Sequence, residues 1–389
     1  MVVFFLMLPQ QERNKINNNP SYNMRLSLTI VTLCLVATTL FVDARDAAGA
    51  PRRIIAVGDV HGDLAQLRAV LEMANVINDE AQWIDRDNTV VVQVGDLLDR
   101  GPHDKGVLDF MMQLQAEAPT HGGKVVSILG NHELMNIMNQ VHYVHPESIE
   151  YFEGSVNRKR QFSAEGVYGQ WIRQNPLLHV EGSTLFVHAG LSPQFAAKGV
   201  DALNKEAKEA LSQKSLRHLD RSALFGVHGP IWTRLLITDA MNGRCKDVEE
   251  SLSLLPGIER MVVGHTPQRS GRVETYCDDK LIAVDVGLSK WMYGNLAALE
   301  ITQKVDGSVE LREIIPHNVA TPPAAPPAIE TEGDNHDAKQ GSGIEGGVSD
   351  PILLQELMEA IQEMKVKQQA EKAALASKEQ QEVVARDEL

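Results

Sequence analysis

Short apolar runs punctuate the chain at residues 54–57, 90–94, 125–129, 185–187, 261–263 and 282–284. Their length and wealth of β-branched residues predict strands. After the first run, Leu64, Leu67, Val70 and Leu71 fall on one helical face behind Asp63, which suits an N-cap. After the second, Val107, Leu108, Met111, Met112 and Leu114 predict another helix. Strands alternating with helices give an α/β organisation. Residues 141–174 and 194–226 are more polar and predict helical or irregular insertions.

The pattern changes outside these bounds. Residues 321–327 are rich in Pro and Ala, and 333–349 in Gly and polar residues, which is linker chemistry. From Pro351 to Ala385 there is no further Pro or Gly, and Leu354, Leu357, Ile361 and Met364 hold helical spacing before Gln368 and Glu371 break the seam. This predicts a solvated, charged helix with weak coiled-coil character. At the other end, Met24-Arg25 opens an apolar stretch over 26–42 that reads as a secretory signal, cleaved near Ala44 or Ala50, with 1–23 an upstream extension. An uncleaved signal anchor and an organelle transit peptide are the alternatives. The chain expected is therefore an extension and signal over 1–50, a folded domain over 51–315, a flexible linker over 316–350 and a helical tail over 351–389.

The last four residues, Arg386-Asp387-Glu388-Leu389, differ at one position from the Lys-Asp-Glu-Leu address read in the endoplasmic reticulum. Together with the signal they predict residence in the secretory lumen, with a retrieval receptor as partner and no membrane span after cleavage. In the mature chain only Cys245 and Cys277 remain, and an oxidising lumen permits a bridge between them; two unpaired thiols are the alternative. With 389 residues, 43% hydrophobic, there is ample length for a core. The formal charge of −15 argues against nucleic acid as a partner.

The candidate chemistry lies where the strands end. The first run empties into Gly58-Asp59-Val60-His61-Gly62, and the second into Gly95-Asp96-Leu97-Leu98-Asp99-Arg100-Gly101. The third leads to Gly130-Asn131-His132-Glu133, the fourth to His188-Ala189-Gly190, and the fifth to Gly264-His265-Thr266. Alone, each would be a turn, a core histidine or a salt bridge. In this order, each after an apolar run, they make a site of the kind α/β sheets gather at strand carboxyl ends. Mixed carboxylate and imidazole donors suit Mn, Fe or Zn. Two such ions roughly 3.5–4 Å apart can activate water and hold phosphate oxygens. Asp96, in the middle of the set, is the natural bridge. Arg100 offers paired donors to phosphate, and His132 is placed to protonate a leaving oxygen, with Asp99 orienting its ring.

These motifs resemble the signature set of the phosphoprotein phosphatase family of metallophosphoesterases, and most of all its bacterial-type, Shewanella-like members. The resemblance covers about residues 53–311. It implies a calcineurin-like fold, a central β-sandwich flanked by helices, with a dinuclear metal site at the strand ends. It implies Asp59, His61 and Asp96 on one metal and Asp96, Asn131, His188 and His265 on the other. Arg100, Arg234 and Asn131 would hold the substrate phosphate, Arg234 because Trp232-Thr233-Arg234 is similar to a second arginine after tryptophan in bacterial-type members. The implied reaction is hydrolysis of phosphotyrosine or phosphoserine/threonine by direct attack of a metal-bridging hydroxide.

The sequence departs from the eukaryotic Ser/Thr enzymes after the last histidine. Where they carry Ser-Ala-Pro-Asn-Tyr, this chain has Asp285-Val286-Gly287-Leu288-Ser289-Lys290-Trp291, with Tyr293 nearby, so their residue preference does not transfer. Residues 142–145 and 162–171 are candidates both for substrate access and for packing. Two rival functions are a nucleotide or small-molecule phosphoesterase using the same site and a catalytically silent lumenal scaffold.

Overall fold

The computed structural model describes residues 52–316, apart from 86–87, 214–215 and 217–218. The signal, linker and tail expectations lie outside the described residues. Strands β1 (Arg52–Val57), β2 (Val90–Gln93) and β3 (Lys124–Ser127) run parallel to one another. Further along come β4 (Leu178–Glu181), β5 (Thr184–Val187), β6 (Arg260–Val263), β7 (Glu274–Tyr276) and β8 (Leu281–Ala283). Of these, β5, β6 and β8 are mutually parallel. Two final strands, β9 (Ala298–Gln303) and β10 (Val309–Ile314), return to the first sheet. The strand orders are β10-β9-β1-β2-β3 and β4-β5-β6-β8-β7.

Alternation along the strands builds two layers of core. Ile54, Ala56, Val90, Val92 and Val126 meet Phe186, Val262 and Ile282 between the sheets. Their neighbours Ile55, Val57, Val91 and Val125 face outward into a second cluster with the helices. Burial of both faces is why these strands read as continuous apolar runs rather than alternating ones. The result is the β-sandwich flanked by helices, with three parallel strands in each sheet aiming their carboxyl ends at one site.

Helix α1 (Leu64–Met73) starts where the pattern placed it, with the Asp63 carboxylate accepting from the Gln66 N–H at 3.1 Å. It packs beside α2 (Asp104–Glu117), and α3 (Asn131–Ile137) follows β3. The insertion over 141–174 holds α4 (Pro146–Tyr151), α5 (Ser155–Gln161) and α6 (Val167–Ile172). Phe152, Phe162 and Tyr168 are buried there with ring centroids 5.5–5.9 Å apart, so the 162–171 part is packing. The two cysteines pair: Cys245 and Cys277 form a disulfide with Cα atoms 5.5 Å apart. Among the described residues no helix is long and apolar enough to cross a membrane.

Candidate metal centre and active site

Six strand ends converge. From β1 come Asp59 and His61, from β2 Asp96, from β3 Asn131 and His132, from β5 His188, from β6 His265 and from β8 Asp285. All eight side chains are buried to 5% exposure or less. Asp96 sits in the middle. Its Oδ2 lies 3.9 Å from His61 Nε2 and 3.8 Å from His132 Nε2, and its Oδ1 lies 3.3 Å from His188 Nε2. Two donor groups share it: His61, Asp96 and His132 in one, Asp96, His188 and His265 in the other, with atoms within 4.8 Å of each other in each group. Asp59 Oδ2 is 3.9 Å from His61 Nε2, and Asn131 Oδ1 is 2.8 Å from His188 Nε2.

The imidazole tautomers follow from their outer partners. His61 Nδ1 donates to the Leu98 carbonyl at 3.0 Å and His188 Nδ1 to the Val94 carbonyl at 2.8 Å, so Nε2 of each ring is the nitrogen turned toward Asp96. His265 is the reverse: Nε2 donates to the Trp232 carbonyl at 3.1 Å, so Nδ1 faces inward. A ring nitrogen that donates to a carbonyl leaves the other with a lone pair for a metal.

Electrostatics fit the same use. Burial pushes the His61 imidazole down to about 3 and His265 down to about 2, so both are neutral at physiological pH. Burial and the charges of Asp285 and Asp96 push the Asp59 carboxyl well above the usual range. Asp285 is itself pushed up to about 6 by burial and by Asp96. Burial works against ionisation at Asp96 too, yet His188 and His132 hold it well below the ordinary value. Three carboxyls and four imidazoles buried together are costly without a cation, and with one they supply a ligand set.

The backbone is bent to make this possible. His61, Asp96, Asp99, Arg100 and His265 all have φ between +47° and +71°, a left-handed region that costs non-glycine residues strain and clusters at functional sites. Glu133 offsets part of that cost. Its carboxylate accepts from the N–H groups of Asp96 (2.8 Å), Leu97 (2.8 Å) and Gly130 (3.0 Å), tying the β2 and β3 loops together. Burial and the neighbouring Asp96 push Glu133 up to about 7. Gly95, at φ +95°, has no room for a side chain: a Cβ would stand 2.8 Å from Gly130 and from His188 Nδ1.

Around the donors stand further polar and charged groups. His132 Nδ1 is 2.7 Å from Asp99 Oδ2 while its Nε2 faces the pocket. Burial disfavours its charge, but Asp96 and Asp99 prevail and raise its pKa. The buried Arg100 Nε has no hydrogen-bond partner among the described residues, and an unpartnered guanidinium donor at the pocket wall is suited to an anion. Arg234 lines the same pocket and donates to the His265 carbonyl at 3.3 Å. Tyr143, Trp232 and Met292 form its apolar walls. Tyr143 is fixed from below, where its carbonyl accepts the Arg100 N–H at 2.8 Å and its ring lies 5.4 Å from the Arg100 guanidinium.

A profile of calcineurin-like phosphoesterases matches residues 52–269, more than half of the chain. The chain belongs to the calcineurin-like phosphoesterase family. Within it, the chain is 31% identical to Shewanella-like protein phosphatase 2 of Arabidopsis thaliana, over 62% of this chain and 72% of that protein. The structure of the cold-active protein-tyrosine phosphatase of a psychrophilic Shewanella species superposes with a TM-score of 0.56 at 26% identity, covering 67% of this chain and 80% of that one. A symmetrical bis(5'-nucleosyl)-tetraphosphatase of Aromatoleum aromaticum is 30% identical, over 42% of this chain and 53% of that protein.

Family and geometry together make this chain a metallophosphoesterase, and its buried carboxylate and imidazole donors fit divalent ions. All residues singled out by sequence for metal or phosphate line or adjoin the one pocket. Asp285 was not singled out, because an aspartate before Val-Gly after a strand looks like any turn. Its signal was positional, being the sixth strand end. His132 stands as near to Asp96 as His61 does, so distance alone does not separate a metal ligand from a proton donor.

Proposed function

We propose that this phosphoesterase hydrolyses phosphotyrosine in proteins. The carrying observation is one pocket lined by Asp96, by His132, backed by Asp99 at 2.7 Å, and by Arg100, whose Nε has no partner among the described residues, with Tyr143, Trp232 and Met292 as apolar walls. Asp59, His61 and Asp96 would hold one ion, and Asp96, Asn131, His188 and His265 the other. Bound there, two ions of the Mn, Fe or Zn type supply Lewis acidity toward phosphate and activate water.

The chain's own groups do the rest. Arg100, Arg234 and Asn131 orient the phosphate through charge-assisted hydrogen bonds. His132 gives its Nε2 proton to the departing oxygen, and Asp99 holds Nδ1–H and so the ring orientation. The Tyr143, Trp232 and Met292 walls favour a flat aromatic leaving group. The similarity to Shewanella-like protein phosphatase 2 and to the cold-active protein-tyrosine phosphatase supports a protein phosphatase, and the disulfide supports work in an oxidising compartment such as the secretory lumen.

The test compares initial rates on a phosphotyrosine peptide, a phosphoserine peptide and a diadenosine tetraphosphate with the Mn-loaded full chain. Highest kcat/KM on phosphotyrosine is expected. Highest kcat/KM on the dinucleotide would replace this reading with the one suggested by the tetraphosphatase relative, and no turnover with Mn, Fe or Zn would leave only a scaffold.

A further inference from the structure

Behind the His132–Asp99 pair lies a second, fully buried charge cluster that the reaction as described does not use. Asp104, in the first turn of α2, and Asp99 are both 0% exposed, and Arg158 from α5 is 3% exposed. Arg158 Nη2 donates to Asp104 Oδ2 at 2.8 Å and lies 3.9 Å from Asp99 Oδ1. Ser148 on α4 donates to the same Asp104 oxygen at 2.7 Å. The other oxygen, Asp104 Oδ1, accepts the backbone N–H of Asp99 at 2.8 Å. The guanidinium is seated between the Phe162 ring at 4.5 Å and the Phe152 ring at 5.4 Å.

Two buried anions this close need a cation, and the insertion brings one from 54 residues away. Burial pushes the Asp104 carboxyl up, Arg158 pulls it back and Asp99 opposes that. The geometry also has a direction. Asp99 and Arg100 are in strained left-handed conformations at φ +71° and +68°, and Asp104 holds the N–H that begins this turn. Asp99 in turn holds His132, with Asn136 Nδ2 donating to its second oxygen at 3.0 Å. The aromatic cage thus fixes Arg158, Arg158 fixes Asp104, and Asp104 fixes the turn that aims the Asp99 carboxylate at His132.

We propose that Arg158, together with Asp104, is a positioning residue for the proton-donating step. It acts through the Asp99–His132 pair and not on the metals. The proposal rests on His132 serving as the proton donor. A misplaced acid matters for leaving groups that need a proton and little for those that leave as stable anions. A residue needed only for folding would affect both kinds alike.

The experiment uses the Mn-loaded full chain with two substrates, a phosphotyrosine peptide and 2,4-dinitrophenyl phosphate. Arg158→Met keeps the stem between the rings and removes the charge. Its kcat on the peptide should fall about tenfold, with KM unchanged, and on the dinitrophenyl ester less than about twofold. Arg158→Lys should recover part of the loss. In a His132→Asn background, Arg158→Met should have no further effect, because the group it positions is gone. Metal content should match the parent throughout. Ser148→Ala, a smaller cut to the same cluster, should show the same leaving-group bias at lower amplitude and serves if Arg158→Met does not fold. Equal losses on both substrates, or a loss that persists without His132, would overturn the proposal. If His132→Asn itself shows no leaving-group bias, the assignment of the proton donor fails instead.

Discussion

The two halves of the site are built differently. The β1–β3 loops carry several functional side chains each and are braced by buried carboxylates: Glu133 holds three backbone N–H groups and Asp104 a fourth. The β5, β6 and β8 loops each bring one inward group, His188, His265 and Asp285. Here the rings are steered by backbone carbonyls, Val94 for His188 and Trp232 for His265. Crowded charge needs its own scaffold of acceptors, whereas a lone imidazole needs a single carbonyl. The first half should therefore couple metal binding to local stability, and the second should couple them weakly.

Asp96 belongs to both donor groups, so its loss should have the largest effect. Asp96→Asn should abolish phosphatase activity and remove both ions, read by rates and elemental analysis; retention of one ion at full occupancy would break the shared-ligand account. His132→Asn should slow turnover about a hundredfold or more while keeping the ions.

The halves separate in the next pair. Glu133→Gln replaces an all-acceptor carboxylate with a group that has one acceptor oxygen, so at least one buried N–H loses its partner. Unfolding free energy should fall by about 1–3 kcal/mol together with activity. His265→Ala should cost an ion and activity, with a smaller shift in the denaturation midpoint. Equal shifts would remove the distinction between the halves.

The disulfide lies in the second half and closes a span of 32 residues. Replacing both cysteines by Ser should lower stability by about 3 kcal/mol and leave kcat and metal content unchanged; a metal loss would tie it to the site. The smallest effect concerns Glu181 on β4, which pairs with Arg52 and Lys124 of the first sheet. Burial acts to raise its pKa, but His179, Lys124 and Arg52 outweigh burial and hold it at about 2 against an ordinary 4.5. A depressed folded-state value means stability present above pH 4.5 and lost as pH falls toward 2. Acid titration of the unfolding midpoint should therefore be flatter in Glu181→Gln.

The same asymmetry governs what the sequence made legible. Asp-x-His, Asp-x-x-Asp-Arg and Asn-His-Glu are dense local motifs after strands buried on both faces, so residue type and pattern pointed to them directly. The Asp63 cap was equally local. His188 and His265 gained meaning only from their place in the series, and Asp285 had only its position after the sixth run until β8 was seen beside β6. Glu133 looked like a motif end and proved to be a backbone brace. Strand β10 escaped the pattern because Glu310, Arg312 and Glu313 interrupt it at the edge of its sheet, and β9 because Glu300 sits within it, paired to Arg53 and Arg312. No pattern of charge and polarity in the insertion would have linked Arg158 to Asp104, since the contact is made by tertiary packing. The cysteine pairing was undecidable from spacing for the same reason.

The central claim is a two-ion site bridged by Asp96. Elemental analysis of the purified, active full chain, normalised to protein, tests it most directly. The account predicts two transition-metal or zinc ions per chain in the fully active enzyme; full activity with one ion per chain, or none, would contradict it.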